Sequence, residues 1–545
     1  MHSDGIAGEV PLDPSLRGSS THVRRGRGGT AIAVLIFFVI AAGLYAFAWN
    51  RESAGFLSDD AVYLLMADGF SPFGTGESAL TAYVLREALF PPLYPLLLAL
   101  LGAGSGTLLW AHLITTTTLV VALGIYGLWI NSRLRDLVPA IGLVAIFALA
   151  PGTLLVDLEL LSEFPYLMFS LVALWLAERA RINDRGLAWI ALCVGLATLT
   201  RTAGLSLLVA FALWLFRHRV RGRAKWLTLA LIPSIAWLCY KKWVLASKGA
   251  YTTFWSSLWE QSLADPGYAV SFLENQSKAL WQALLNTLDL QPSHLTQFML
   301  AATLLAGLPV WIRRLRFCHL DAWYLLIGGM MVLLYPFPGY FARLFLPWVP
   351  IVLFYAYQGV LGITAGWGEV RGKPALAYLY LAALLLTLMP SVGFMSHRLA
   401  EPIAPELANW KHSRYWFRLQ DINSIREDVR FRQELIFATR QVAQWVPEGD
   451  CVYGVHTGIS MLYSRRVFYQ PPAPDVDDSE FEKLSQGCRY FFLVPVAGQI
   501  GNHPVNAFYP SDRLAQDRTE LIQTWKDPRE AGAQTAVLLR AKASP

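Results

Sequence analysis

Residues 31–49 read AIAVLIFFVIAAGLYAFAW, nineteen positions without a charge. A helix of that length and polarity matches a hydrocarbon core of roughly 30 Å, and a soluble surface has no use for it. Arg17, Arg24, Arg25 and Arg27 precede the run, so the positive-inside rule puts the N-terminus in the cytoplasm. Ala46-Phe47-Ala48 mimics a signal-peptidase site, but the run is long for the apolar part of a signal peptide and reads as an anchor.

Similar stretches recur outward from this one, near 106–130, 137–153, 162–177, 186–200, 202–216, 226–246, 295–312, 322–338, 344–363 and 374–396. With the first they make about eleven expected spans. The basic clusters then alternate correctly: Arg133/Arg135, Arg179/Arg181/Arg185, Arg217 to Lys225, Arg313/Arg314/Arg316 and Arg371/Lys373 all fall on the N-terminal side. The spans flanking Arg201 are short, which tilting or a broken helix accommodates. An odd count places the C-terminal tail outside, so the expected location is the inner (plasma) membrane, multi-pass, with a periplasmic or extracellular tail.

Composition agrees. The 545 residues are 55% hydrophobic and 15% charged, against about 25% charged in soluble domains, and the mean hydropathy is +0.40. The net charge of +6 sits wholly in residues 1–396, with 27 Lys+Arg against 21 Asp+Glu; residues 397–545 hold 18 of each. A basic excess confined to short inner loops gives no reason to expect a nucleic-acid partner. Five cysteines form no CxxC pair, so a zinc framework is not expected. The chain divides into a cytoplasmic stretch 1–30, a membrane body 31–396 with a large external loop 50–105, and a tail 397–545.

The tail alternates patterns: a helix over Ile422–Trp445, strands at Cys451–Val455, Val467–Gln470, Arg489–Val496 and Thr535–Leu539, a helix after His456 and an acidic helix Asp477–Leu484. This is the signature of a small α/β domain. Cys451 and Cys488 each open a strand; parallel neighbours would bring them within disulfide range, whereas other arrangements leave two buried thiols.

The candidate chemistry gathers in the external segments. Ser58-Asp59-Asp60-Ala61-Val62-Tyr63 reads as a capped helix start whose first turn carries two carboxylates, with Asp59, Tyr63 and Ala67 on one face. A carboxylate beside a tyrosine just outside a span is placed to take a proton from a hydroxyl; a plain N-terminal capping pair is the structural alternative. Phe90-Pro91-Pro92-Leu93-Tyr94 opens an apolar run of about ten residues, which favours an interfacial or re-entrant helix over a span. The turn Asp157–Glu163 carries three acidic residues, read mainly as surface charge. Aromatics in the loop 247–294 (Tyr251, Phe254, Trp255, Trp259) suggest a helix lying among headgroups. Thr115–Thr118 can satisfy its hydroxyls on preceding carbonyls, and His112 reads as packing.

Taken together, Asp59-Asp60, Tyr63, Ala67 and Pro91-Pro92-Leu93-Tyr94 resemble the first external loop of the GT-C membrane glycosyltransferases. The similarity is to the family-39 group, which includes protein O-mannosyltransferases and lipid A aminoarabinose transferases. Leu199-Thr200-Arg201 resembles that group's Thr-Arg/Lys turn, and Arg343-Leu344-Phe345-Leu346-Pro347 its Arg-x-x-x-Pro opening of a late span. The likeness covers about residues 31–396. Asp60 stands where protein mannosyltransferases carry Glu, which puts a protein acceptor in doubt.

The resemblance implies an all-α polytopic fold and an inverting transfer from a polyprenyl-phosphate sugar to a lipid, glycan or protein acceptor. Asp59 and Asp60 would be the catalytic pair, with Asp59 as base; Tyr63, Arg86, Tyr94, Glu163, Arg201 and Arg343 would bind substrate. Arg201 and Arg343 are the cations best placed to stabilise a departing lipid phosphate. One or two carboxylate oxygens do not make the octahedral set Mg²⁺ prefers, so no cofactor is expected. The rival from another class is a transporter or flippase of a lipid-linked saccharide. Such proteins tend to show repeated halves and charged broken helices at mid-membrane, whereas here the ionisable residues gather at span ends.

Overall fold

A computed structural model describes residues 27–49, 59–73, 78–87, 90–178, 184–243, 265–366, 373–454, 457–469, 487–494, 499–500, 503–504, 519–526 and 534–542. Ser58, the loop aromatics Tyr251 to Trp259 and the acidic helix expected at Asp477–Leu484 lie outside these residues.

Each of the eleven expected apolar runs is helical over most of its described residues. The first is α1 (Arg27–Phe47), whose outer face of Ile32, Leu35, Phe38 and Val39 is open, as lipid contact requires. The external segment then folds as α2 (Asp59–Phe70), α3 (Ser78–Glu87) and α4 (Leu93–Leu100). α4 is eight residues long, preceded by Pro92 at its N-cap, and too short to cross.

α5 (Leu108–Leu134) is a full span, followed by α6 (Leu137–Leu149), with Asp136 capping Val138 N, and α7 (Pro151–Asp157). Between α6 and α7 the chain bends by 60° at Ala150-Pro151, because a proline lacks the N–H that a continuing helix needs and restricts the residue before it. α8 (Glu163–Ala177), α9 (Asp184–Thr200), α10 (Gly204–Arg217) and α11 (Arg223–Trp243) complete the first half.

The segment 266–288, read from sequence as part of an external loop, is instead the 23-residue helix α12 (Pro266–Leu288), capped by Asp265 on Gly267 N. Its polar and apolar residues alternate in a way that hides it from a hydropathy scan. α13 (His294–Arg316), α14 (Leu320–Leu333), the short α15 (Phe341–Phe345), α16 (Val349–Gly366) and α17 (Lys373–Ala400) finish the body. α13 and α16 pack closely because Gly359 lacks a side chain; a Cβ there would stand 1.8 Å from Ala306 O.

By length and composition, among the described residues, five helices are apolar enough to cross a membrane, and six if the bent α6–α7 pair is one span. α8, α10 and α14 are apolar but shorter, at 10–17 residues. The protein is thus a multi-pass helical membrane protein, fewer of whose helices are of full spanning length than its eleven apolar runs suggested.

The tail is an α/β unit. α18 (Ile422–Trp445), capped by Asp421, and α19 (Thr457–Ser464) accompany a five-stranded sheet ordered β2-β1-β3-β7-β6. Its strands are β1 (Cys451–Gly454), β2 (Val467–Tyr469), β3 (Tyr490–Leu493), β6 (Thr519–Lys526) and β7 (Gln534–Ala541). β1 runs parallel to both β2 and β3, and β7 antiparallel to β3 and β6. The two short strands β4 (Gln499–Ile500) and β5 (His503–Pro504) pair only with each other. Because β1 and β3 are parallel neighbours, Cys451 and Cys488 meet and form a disulfide.

Candidate active site

Helix α2 begins with the acidic pair, and its geometry separates the two. Asp60 turns inward and is 2% exposed, its carboxylate accepting from Ala61 N. Asp59 stays open, with its side chain 25% exposed, and accepts from Arg343 Nη2 at 2.5 Å. Arg343 comes from α15, far along the chain, and its Nε donates to Glu163, the first residue of α8.

Glu163 is fully buried and holds a second cation, since Arg201 Nη1 lies 2.5 Å from its Oε1. Arg201 occupies the turn between α9 and α10 and also reaches Ser162 Oγ at 3.4 Å. That turn is tight because Gly204 lies against the α9 backbone; a Cβ there would meet Ala197 O at 2.6 Å. Ser162 Oγ in turn bonds Tyr63 OH at 2.9 Å, one turn along α2 from Asp59. Asp59, Arg343, Glu163, Arg201, Ser162 and Tyr63 therefore close a circuit drawn from α2, the α7–α8 turn, α8, the Arg201 turn and α15.

Two atoms of this circuit are buried without a hydrogen-bond partner among the described residues: Glu163 Oε2 and Arg343 Nη1. A donor left open on a buried guanidinium is the group an anionic ligand would satisfy. Burial pushes the Tyr63 phenol well above its usual range, with the Arg201 charge opposing, so Tyr63 serves as a neutral hydrogen-bonding group.

Tyr94 supports the circuit from behind. Its hydroxyl bonds Thr115 Oγ1 at 2.7 Å and its ring meets that of Tyr63 edge-on at 5.1 Å; the Tyr63 ring also packs against Phe90 at 4.9 Å. Arg86 is on the exposed side of α3, its guanidinium 5.8 Å from the Tyr83 ring centre, outside the circuit.

The acidic turn 157–163 corrects the surface reading. Asp157, Glu159 and Glu163 are all buried, at 0%, 4% and 0% exposure, because the bend at Pro151 swings α7 and the turn after it into the body. Asp157 accepts from Thr116 Oγ1 at 3.0 Å, while Thr115, Thr117 and Thr118 bond carbonyls of their own helix. Glu159 meets Arg414 of the tail at 3.2 Å, and its burial pushes the carboxyl up to about 7 against the pull of that arginine.

Sequence reading missed Ser162, Glu159 and Arg414. The first two adjoin or share the acidic turn and could have been found through it; Arg414 carried no local signal. Among the described residues no three His, Cys, Asp or Glu side chains converge as a metal-binding group would.

No protein-family model and no curated protein matches this chain. Solved structures do. ArnT from Cupriavidus metallidurans in the apo state superimposes over 95% of this chain and 100% of its own, at 12% identity and a TM-score of 0.50. The same enzyme bound to undecaprenyl phosphate gives 13% identity, 95% and 98% coverage and a TM-score of 0.46. The oligosaccharyltransferase AglB from Archaeoglobus fulgidus gives 12% identity, 86% and 70% coverage and a TM-score of 0.47. The match to apo ArnT, over 95% of this chain and all of that one, fits the helical order and the tail described above: this protein shares the fold of that structure.

Proposed function

We propose that the protein is an integral-membrane glycosyltransferase that moves a sugar from a polyprenyl-phosphate donor to a lipid, glycan or protein acceptor, with inversion at the anomeric carbon. One observation carries this reading: an open carboxylate, Asp59, shares a buried guanidinium, Arg343, that retains an unsatisfied donor nitrogen. The shared fold and the loop motifs agree with it.

In this scheme the donor phosphate settles at Arg343 Nη1 and draws the guanidinium away from Asp59. The freed Asp59 carboxylate takes the acceptor hydroxyl proton, and the acceptor oxygen forms a bond to the anomeric carbon as the bond from that carbon to the phosphate oxygen breaks. The lipid phosphate leaves as an anion held by Arg343, with Arg201 keeping Glu163 neutralised behind it. The site end faces outward, because the basic clusters of α5, α10 and α13 gather at the other end of the body. The reaction is proposed without a metal, so a chelator should leave transfer within about twofold.

The test compares wild type with Asp59→Asn in membranes fed radiolabelled polyprenyl-phosphate sugars, with donor binding measured in parallel. Transfer should fall by roughly 10²–10⁴-fold while donor binding persists. Equal transfer by both proteins would remove Asp59 as the base. No transfer by wild type from any donor would overturn the reading.

A further inference from the structure

Among the described residues, two ion pairs join the tail to the elements that carry the site. Arg465 follows α19 directly, with a left-handed φ of 57°, and its Nη1 lies 3.1 Å from Asp68 Oδ2 and 2.8 Å from Ser105 Oγ. Asp68 Oδ1 also accepts from Ser105 N at 3.0 Å, and the absent side chain of Gly104 makes room, since a Cβ there would stand 2.2 Å from that oxygen. α19 packs along α2 above this contact. The second point is Arg414 on Glu159, three residues before Ser162. Its turn is fixed by Trp416, fully buried, whose Nε1 donates to Arg398 O at the end of α17 at 2.7 Å.

Asp68 lies nine residues beyond Asp59 on the 12-residue α2, about 13 Å along the axis at 1.5 Å per residue. A helix this short is marginal alone, so its rotation is set by what grips it. A slip of one residue turns α2 by about 100° and removes Asp59 from Arg343.

We propose that Arg465 is a positioning residue: acting through Asp68, it fixes the rotation and height of α2 so that the Asp59 carboxylate meets Arg343. The tail is then a clamp on the site rather than a separate binding module. This rests on Asp59 being the base, as proposed above.

The experiment uses the full chain in membranes, with Arg465→Met, Arg465→Lys and the exchanged pair Arg465→Asp with Asp68→Arg. Misplacing a reacting group by about 1 Å costs on the order of 10²-fold. We expect Arg465→Met to lower kcat by about 10–100-fold with the donor KM within about twofold. Arg465→Lys should recover most of the loss, whereas the exchanged pair, which leaves Ser105 N without the Asp68 acceptor, should not. Amide exchange over residues 59–70 should rise in Arg465→Met while that of α18 stays as in wild type.

Unchanged kcat with unchanged exchange overturns the clamp. A rise in KM alone, or a loss of protection spread through α18, also overturns it, since each points to binding or to general unfolding. If wild type transfers no sugar, the proposed function fails; the exchange measurement still decides the grip on α2, and an unchanged pattern there overturns it.

Discussion

α8 carries a glutamate at each end, Glu163 at its first residue and Glu178 at its C-cap, about 22 Å apart along the axis. Each gathers two arginines. Glu163 holds Arg201 and Arg343; Glu178 holds Arg133, and Arg314 at 2.6 Å. Each cluster also has a second carboxylate, Asp59 on Arg343 at one end and Asp321 on Arg314 at the other, at 2.5 and 2.7 Å.

The charges are alike, and the surroundings are not. At the Glu178 end Trp129 Nε1 donates to the glutamate at 2.7 Å, the Tyr355 ring lies under Arg314, and Asp321 is 1% exposed. At the Glu163 end the second carboxylate is open and sits on a short helix held by the tail. Identical charge counts can therefore build a sealed cluster or one that solvent reaches; the difference is which element supplies the last carboxylate.

This contrast can be broken by experiment. The largest effect is expected for Arg314→Met, which leaves Glu178 with one arginine and Asp321 buried without its ion-pair partner: unfolding stability should fall by about 3–5 kcal/mol in a denaturation series in detergent. The fraction that remains folded should keep its kcat. Arg343→Gln should do the reverse, cutting transfer by about 10²–10³-fold, the scale of removing one transition-state donor, with a small change in melting temperature because Arg201 still neutralises Glu163. Equal destabilisation by both substitutions would erase the distinction between the two ends.

The smallest effect sharpens the comparison through pH. Glu159 has a folded pKa raised to about 7 by burial, above its ordinary 4.5. The folded protein therefore holds a proton that the unfolded chain releases, and the stabilisation present below about pH 4.5 is lost as pH rises through about 7. Glu159→Gln lacks this dependence. The melting temperature of wild type relative to Glu159→Gln should decline by a few degrees between pH 5 and 8, and a flat difference would mean that the carboxyl is ionised throughout.

Much of the fold was legible because apolar runs are local: all eleven became helices, and Pro91-Pro92 marked a helix too short to cross. The acidic pair and the two arginine turns were legible as motifs, but their closure into one circuit depends on contacts such as Asp59 with Arg343, which no local pattern encodes. The carboxylates at 157, 159 and 163 read as surface because sequence gives charge and not burial; the bend after Ala150 decided that. β6 escaped because bulges between Leu521 and Gln523 and at Trp525 interrupt the two-residue alternation that identifies a strand. α12 escaped because its exposed polar residues dilute its apolar face.

The Cys451–Cys488 bond closes a stretch of 37 residues that contains β1, α19 and Arg465. Disulfides persist in oxidising compartments, so with the site end and its tail facing outward, as proposed, this closure follows translocation. The helices of the body can enter the bilayer as they leave the ribosome, whereas on that orientation the loop bearing Arg465 would be locked only after Cys488 has been exported and oxidised. Maturation of the proposed transferase would then be a two-stage event, with insertion first and competence granted afterwards by a covalent step that a cell lacking thiol oxidation would fail to complete.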